Sequence, residues 1–211
     1  MLLICEGQSA ANAILSARTE KVGCYPLKGK IPNALKKTPK ELQENQEISD
    51  LLAITGLKFG ERAVKENLRF GKIVACCDAD MDGSHITGLL ITLIYRFWPE
   101  LLTDGVFHIF KTPIAKITIG KVETMLYSFE EYHAFLEKNA GKKMAVRYLK
   151  GLGSSTSKDF AKYFENMDDH LVQVCAGAGD LWMIDLAFGK EKTGAGGKSA
   201  ADQRKEWLKL E

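Results

Sequence analysis

The chain has 211 residues, of which 45% are hydrophobic and 27% charged, enough apolar material for one good core and a smaller second unit. Its net charge of +2 excludes strong attraction of the whole surface to nucleic acid, so such contacts must depend on local clusters. No apolar run reaches membrane-spanning length, and residues 1 to 20 lack the pattern of a signal peptide. We therefore expect a soluble, cytoplasmic chain.

The cysteines are odd in number, have no Cys-x-x-Cys spacing and lie mostly in apolar segments. This pattern predicts reduced core residues and not zinc ligands or disulfides. The residues concerned are Cys5, Cys24, Cys76, Cys77 and Cys175.

The chain opens with a short apolar segment, residues 2 to 5, that is typical of a buried strand. Glu6 follows it directly, and Gly7 then begins a turn into a predicted helix. We therefore expect Glu6 at the carboxyl end of a strand.

Two lysines come next, Lys28 and Lys30, on either side of Gly29. Glycine lets the backbone approach a phosphate closely, so this segment is a candidate phosphate contact. The alternative is a solvent-exposed loop without a binding role, because lysines are mostly exposed.

Helix signals follow at Thr38-Pro-Lys-Glu41, a capping box with proline at the first helical position. Gly56 is expected to end the helical region that starts there.

The most informative segment is Asp78-Ala-Asp-Met-Asp-Gly83, which follows the apolar run of residues 73 to 77. If the backbone stays extended, Asp78, Asp80 and Asp82 project to one side, because side chains alternate along a strand. Close carboxylates repel one another and resist burial, so a cation is expected among them. Hard oxygen ligands favour Mg²⁺.

Three other interpretations of this segment are possible. An EF-hand loop needs a glutamate at its twelfth position, where this chain has Leu89. An aspartyl phosphotransferase would have a hydroxyl in place of Asp82. The third interpretation is a polar turn that caps the next helix, with Ser84 as the N-cap residue.

A helix is predicted after the acidic segment, because apolar residues recur at helical spacing from Ile86 to Phe97. Pro99 and Gly105 give stop signals beyond it. Strand, acidic turn and helix together predict an α/β fold with ligands at the carboxyl ends of strands.

Further elements are predicted toward the C-terminus from apolar periodicity and capping residues. They are strands at 107–110, 115–119 and 144–149, a helix capped by Ser128, helices at 159–165 and 201–210, a buried helix at 181–188 and a mobile loop at 189–199. Arg147, Lys150 and the Gly151 to Ser154 turn form a second candidate phosphate contact. The same turn could instead be capped by Ser154 or Ser155 before the helix.

Four motifs in this order resemble the TOPRIM region of type IIA DNA topoisomerases. They are Glu6-Gly-Gln-Ser-Ala10, Pro26-Leu-Lys-Gly-Lys-Ile31, Asp78-Ala-Asp-Met-Asp-Gly-Ser-His-Ile86 and Lys150-Gly-Leu-Gly153. The likeness continues through Thr156-Ser-Lys-Asp159 and Asp202-Gln-Arg-Lys-Glu-Trp-Leu208, and so covers nearly the whole chain. It is similar above all to the large subunit of T-even bacteriophage topoisomerases, which would place the chain in the host cytoplasm.

The resemblance implies a TOPRIM, Rossmann-like parallel sheet flanked by helices, with a smaller α+β extension. It implies that Glu6, Asp78, Asp80 and Asp82 hold Mg²⁺ and serve catalysis, with Glu6 also acting as acid or base at the leaving 3′ oxygen. It further implies DNA contacts by His85, Lys28, Lys30, Arg147 and Lys150. His85 could equally be a first-turn helix residue facing water.

One position departs from the family pattern, because Gln8 stands where relatives usually carry aspartate. The missing carboxylate is not one that we assign to the metal, so cleavage chemistry need not be lost. We expect the glutamine at this position to alter local contacts with DNA.

The resemblance also implies partners. No phosphate-loop motif and no segment like the family's tyrosine domain is present, so an ATPase portion and a tyrosine-bearing subunit are expected to work with this chain on double-stranded DNA. The isolated chain is expected to be inactive. Two alternatives remain open, a stand-alone TOPRIM nuclease or primase-like enzyme and a non-catalytic DNA-binding or partner-binding module.

The expected domain organisation has four parts. They are a TOPRIM core at 1–115, an α+β extension at 116–188, a linker at 189–199 and a C-terminal helix at 200–211.

Overall fold

The chain passes repeatedly between two structural units in a computed structural model that describes residues 1–149, 151–177, 180–189 and 199–209. The first unit comprises Met1–Lys30, Phe70–Thr87 and Phe107–Gln173. The second comprises Ile31–Arg69, Gly88–Val106 and Val174–Glu211. Glu6 and the segment from Asp78 to Asp82 both belong to the first unit.

The strands, in chain order, are β1 Leu2–Glu6, β2 Gly23–Leu27, β3 Ile73–Cys76, β4 Phe107–Phe110, β5 Ala115–Ile119, β6 Val122–Leu126, β7 Ala145–Tyr148 and β8 Leu171–Gln173. The helices are α1 Gly7–Ala17, α2 Pro39–Gln43, α3 Gln46–Thr55, α4 Met81–Phe97, α5 Glu100–Thr103, α6 Phe129–Lys138, α7 Ser157–Glu165, α8 Leu181–Phe188 and α9 Ala200–Trp207.

The first unit is built on a five-stranded sheet with the order β2-β1-β3-β4-β8. The first four strands are parallel, and β8 joins antiparallel to β4. All four residues of β3 are buried, as are the first four of β1. This burial pattern is typical of strands that are covered on both faces of a sheet. This confirms the predicted α/β fold with a largely parallel sheet.

Helices α1 and α7 contribute to the core on one side of this sheet. Ala10, Ala11 and Ile14 of α1 and Phe160 and Tyr163 of α7 are almost completely buried in one cluster with residues of β1 and β3. Their packing fixes the segments that precede and follow both helices.

A second, smaller sheet of the first unit has the order β6-β5-β7 and is antiparallel throughout. Gly120, at φ 62, makes the turn between β5 and β6. The sheet is joined to α7 by an ion pair of 3.0 Å between Lys116 Nζ and the buried Asp159 Oδ1.

The second unit is mostly helical and is organised around Trp98, which is 1% exposed. The indole ring stacks on Phe59 at 5.4 Å, and its Nε1 donates to the Lys58 carbonyl at 3.2 Å. The predicted capping box of Thr38 and Glu41 is confirmed, and Gly56 ends α3 in the left-handed region at φ 86.

Several local predictions were wrong. The backbone is not extended through Asp82, because α4 begins at Met81 and places Asp82 in its first turn. Ser84 is therefore inside the helix and is not its N-cap. Neither Ser154 nor Ser155 caps α7, since Thr156 accepts from the Asp159 amide and forms a capping box with it.

The helix α8 is present as predicted, but it is not fully buried. Trp182 is 53% exposed and Met183 39% exposed. Cys175 is also exposed, unlike the buried Cys5, Cys76 and Cys77.

The predicted loop at 189–199 lies outside the described residues except at its two ends, and so does Lys150. Within the described ranges, no helix combines the length and apolar character needed to cross a bilayer.

Candidate metal centre

Two carboxylates meet at the carboxyl edge of the parallel sheet because their strands are neighbours. β1 and β3 pair in parallel with Cys5 opposite Cys76, so the residues after each strand emerge at the same edge. Glu6 ends β1, and Asp78 follows β3 by two residues. The backbone amide of Asp78 hydrogen-bonds the Glu6 carboxylate.

Glu6 carries an unsatisfied oxygen at this edge. Its Oε2 is buried and has no hydrogen-bond partner among the described residues. Burial, followed by the charges of Asp78 and Asp80, raises the pKa of the Glu6 carboxyl in spite of the hydrogen bond from Asp78. A buried carboxylate oxygen without a donor is costly, so this position favours a proton or a cation.

Asp78 is half-buried and is held by a backbone donor from a distant part of the chain. The amide of Leu152 donates to Asp78 Oδ1 at 2.6 Å. Burial raises the pKa of Asp78, and the charge of Asp80 adds to this, whereas the Leu152 hydrogen bond opposes it. Glu6 and Asp78 thus share the tendency to bind a positive charge.

Asp80 is exposed and serves as the N-cap of α4. Its Oδ1 accepts from the Gly83 amide at 2.9 Å, and its carbonyl accepts from the Ser84 amide and hydroxyl at 3.0 and 2.8 Å. One carboxylate oxygen of Asp80 is therefore already engaged in capping.

Asp82 is exposed and pairs with Lys30 at 2.7 Å. The hydrogen bond and charge of Lys30 lower the pKa of Asp82, and His85 contributes a smaller effect in the same direction. Exposed ion pairs contribute little stability, so Lys30 can exchange this partner for a phosphate at small cost.

No three His, Cys, Asp or Glu side chains of the described ranges converge closely enough to hold a metal ion as they stand. Unshielded carboxylates repel one another, and here Asp80 and Asp82 are turned toward a helix end and a lysine. Glu6 and Asp78 nevertheless fit Mg²⁺, because this ion is commonly bound by one or two carboxylates and keeps several waters.

The basic residues predicted to contact DNA are placed differently from one another. Lys28 and Lys30 are exposed after β2, and His85 is exposed in the first turns of α4. Arg147 is exposed on β7, with Nη1 3.4 Å from Asp159 Oδ2. The structure thus places Lys30 and His85 beside Asp82, whereas the ion pair of Arg147 is with α7.

The Gly151 to Ser154 turn contacts Asp78, which the sequence did not predict. We predicted that its amides face a phosphate, but the Leu152 amide donates to the Asp78 carboxylate. The signal available in the sequence was the pair of glycines around Leu152, which permits a close backbone approach.

Comparisons with known proteins identify the family of the chain. The Toprim domain family matches residues 1–115, and the C-terminal associated domain of TOPRIM matches residues 110–210. The DNA topoisomerase 2-alpha of Rattus norvegicus is 40% identical over 98% of this chain and 14% of its own length. The putative mitochondrial DNA topoisomerase 2 of Caenorhabditis elegans is 37% identical over 99% of this chain and 18% of its own length.

A solved structure shows the same fold. The DNA-binding, cleavage and re-ligation domain of Plasmodium falciparum topoisomerase II superposes with a TM-score of 0.85 and 35% identity, over 98% of this chain and 28% of that chain. The chain spans less than a fifth of the length of the two curated relatives. It belongs to the Toprim family, carries the Toprim domain and its C-terminal associated domain, and has type II DNA topoisomerases of eukaryotes as homologues.

Proposed function

We propose that the chain is the Mg²⁺-binding part of a type II DNA topoisomerase. In this role it supports ATP-dependent double-strand cleavage, strand passage and religation, together with a tyrosine-bearing subunit and an ATPase portion. The observation that carries the proposal is that Oε2 of Glu6, next to Asp78 at the carboxyl edge of the sheet, is buried and has no hydrogen-bond partner in the part of the chain that the structure describes.

Glu6 and Asp78 would hold the ion, and Asp80 and Asp82, each with one oxygen engaged by Gly83 or Lys30, would complete the acidic set. A bound Mg²⁺ would supply stabilisation of negative charge on the scissile phosphate and on the leaving oxygen. The resemblance also gives Glu6 a role as acid or base at the 3′ oxygen, and in the metal-free site its raised pKa favours the protonated form.

The DNA contacts belong to the same proposal. Lys30 lies at the acidic site through Asp82, and Lys28 is exposed two residues before it. The charge of His85 also acts on Asp82. Arg147 would have to leave Asp159 to reach a phosphate, so we expect it to contribute less than Lys30, and Lys150 lies outside the described residues.

We further propose the domain organisation that the sequence predicts. Residues 1–115 would form the catalytic Toprim core and residues 116–188 an extension that completes it. Kinship with the large subunit of T-even phage topoisomerases, and with it a cytoplasmic location in an infected host, remains a prediction.

Reconstitution tests the proposal. The chain is mixed with the tyrosine-bearing and ATPase portions of the enzyme, and Mg²⁺-dependent DNA breaks covalently linked to protein are counted. We expect such breaks only in the complete mixture. DNA hydrolysis or primer synthesis by this chain alone would instead identify a stand-alone Toprim enzyme, and binding without any chemistry in the complete mixture would identify an assembly module.

Replacing Gln8 by aspartate should leave Mg²⁺-dependent cleavage by the assembled enzyme within about tenfold, a change of about 1.4 kcal/mol. The reason is that the Gln8 side chain is exposed on α1, where its Nε2 donates to Asn12 Oδ1 at 3.0 Å, and we do not assign it to the metal. Cleavage assays of the two forms at equal Mg²⁺ check this. Complete loss of cleavage in Gln8→Asp would show that this position belongs to the metal site.

A further inference from the structure

The turn after β7 contacts Asp78, one of the two carboxylates of the candidate metal centre, directly. Besides the Leu152 hydrogen bond to Asp78, Gly151 lies directly against the same carboxylate. A Cβ built on Gly151 would be 2.2 Å from Asp78 Oδ2 and 2.3 Å from its Cγ. The backbone of Gly151, at φ 149 and ψ −180, is also in a region that only glycine adopts readily.

We propose that the Gly151–Leu152 turn is a carboxylate clamp that positions Asp78 for metal binding. Leu152 fixes one oxygen of Asp78 by its amide, and Gly151 provides the space in which the carboxylate lies. Both are positioning residues, because they act through Asp78. This inference rests on the proposed function and adds to it the group that orients a metal ligand.

The clamp is anchored on both sides by the C-terminal part of the first unit. Before it, the Leu149 amide donates to the Ile114 carbonyl at 2.8 Å. Leu152 itself is completely buried in the core with Phe160 and Tyr163. Through Leu152, the packing of α7 on the sheet places the turn beside Asp78.

The ion-pair network around Asp159 holds the helix that follows the clamp. Asp159 is 2% exposed, completes the capping box with Thr156 and pairs with Lys116 at 3.0 Å. Arg147 adds a second cation at 3.4 Å. The hydrogen bonds from Thr156 and the charge of Lys116 lower the pKa of Asp159 to about 2 although burial opposes them. Arg147 thus also contributes to the ion pairs around Asp159.

Gly151→Ala tests the clamp, with Gly141→Ala as the matched control. Both glycines have positive φ, but a Cβ at Gly141 would meet nothing within 4 Å. We expect the Mg²⁺ dissociation constant, measured by calorimetry on the chain, to rise at least about tenfold in Gly151→Ala. In Gly141→Ala it should stay within about twofold, although both variants lose some thermal stability from the strained backbone.

A second measurement covers the case in which Gly151→Ala fails to fold. In the unmodified chain, Mg²⁺ should shift the amide NMR resonance of Leu152, and Asp78→Asn should abolish this response. The clamp proposal would be overturned if Gly151→Ala and the wild type bound Mg²⁺ with equal affinity. It would also be overturned if Mg²⁺ did not shift the Leu152 amide resonance. If the wild-type chain binds no Mg²⁺ at all, the proposed function itself fails, which is a distinguishable result.

Discussion

Asp78→Asn should reduce Mg²⁺-dependent DNA cleavage by the assembled enzyme at least about 100-fold, and Glu6→Gln should do the same. Each substitution keeps the shape of the side chain but removes one of the two charges that meet at the carboxyl edge of the sheet. Without that charge, the ion that stabilises the phosphate is bound too weakly. Covalent protein–DNA complexes, quantified over a range of Mg²⁺ concentrations, provide the measurement.

A matched control for this loss is Asp168→Asn. Asp168 is also in the first unit, but its side chain is 89% exposed and pairs with Lys72 at 3.0 Å. Removing this charge should leave cleavage within about twofold, because exposed ion pairs contribute little. Equal cleavage by wild type, Asp78→Asn and Glu6→Gln would refute the catalytic assignment.

Glu6→Gln should raise the melting temperature of the metal-free chain at pH 7 to 8, by at least about 2 °C. The charged form of Glu6 is disfavoured by burial and by Asp78 and Asp80. Because its pKa is raised on folding, the folded state holds the proton more tightly than the unfolded state does. The resulting stabilisation is complete below the ordinary glutamate pKa and is lost as pH rises through the raised value.

The difference in melting temperature between Glu6→Gln and the wild type should therefore grow as pH rises from about 4 to 8. Comparing the two forms removes the opposite contribution of groups such as Asp159, whose pKa is lowered to about 2. Adding Mg²⁺ at about ten times its dissociation constant should stabilise the wild type by about 3 to 6 °C and the variant much less. A difference in melting temperature that does not change with pH would contradict a buried charge at Glu6. Equal stabilisation of both forms by Mg²⁺ would contradict metal binding by Glu6.

The sequence was sufficient for the fold and for the meeting of Glu6 and Asp78. Both follow short apolar runs, and parallel strands bring their carboxyl ends to one edge. It was not sufficient for the directions of Asp80 and Asp82. These depend on where the helix begins, and a sequence pattern places a helix start only to within about two to four residues.

The clamp could not be predicted for a different reason. Leu152 and Asp78 are 74 residues apart, and their contact uses a backbone amide that has no signature in side-chain chemistry. The glycines of this turn indicate only a close backbone approach, and the sequence predicts a phosphate as the partner. Only the packing of α7 on the sheet identifies Asp78 as the group that is approached.

The central claim is that Glu6 and Asp78 bind one divalent cation together. Anomalous scattering from crystals of the chain grown with Mn²⁺, which takes the same oxygen ligands, tests it most directly. We predict one strong peak in contact with a carboxylate oxygen of each residue, and its loss in Glu6→Gln. A peak ligated only by Asp80 and Asp82, or none near Glu6, would contradict the claim.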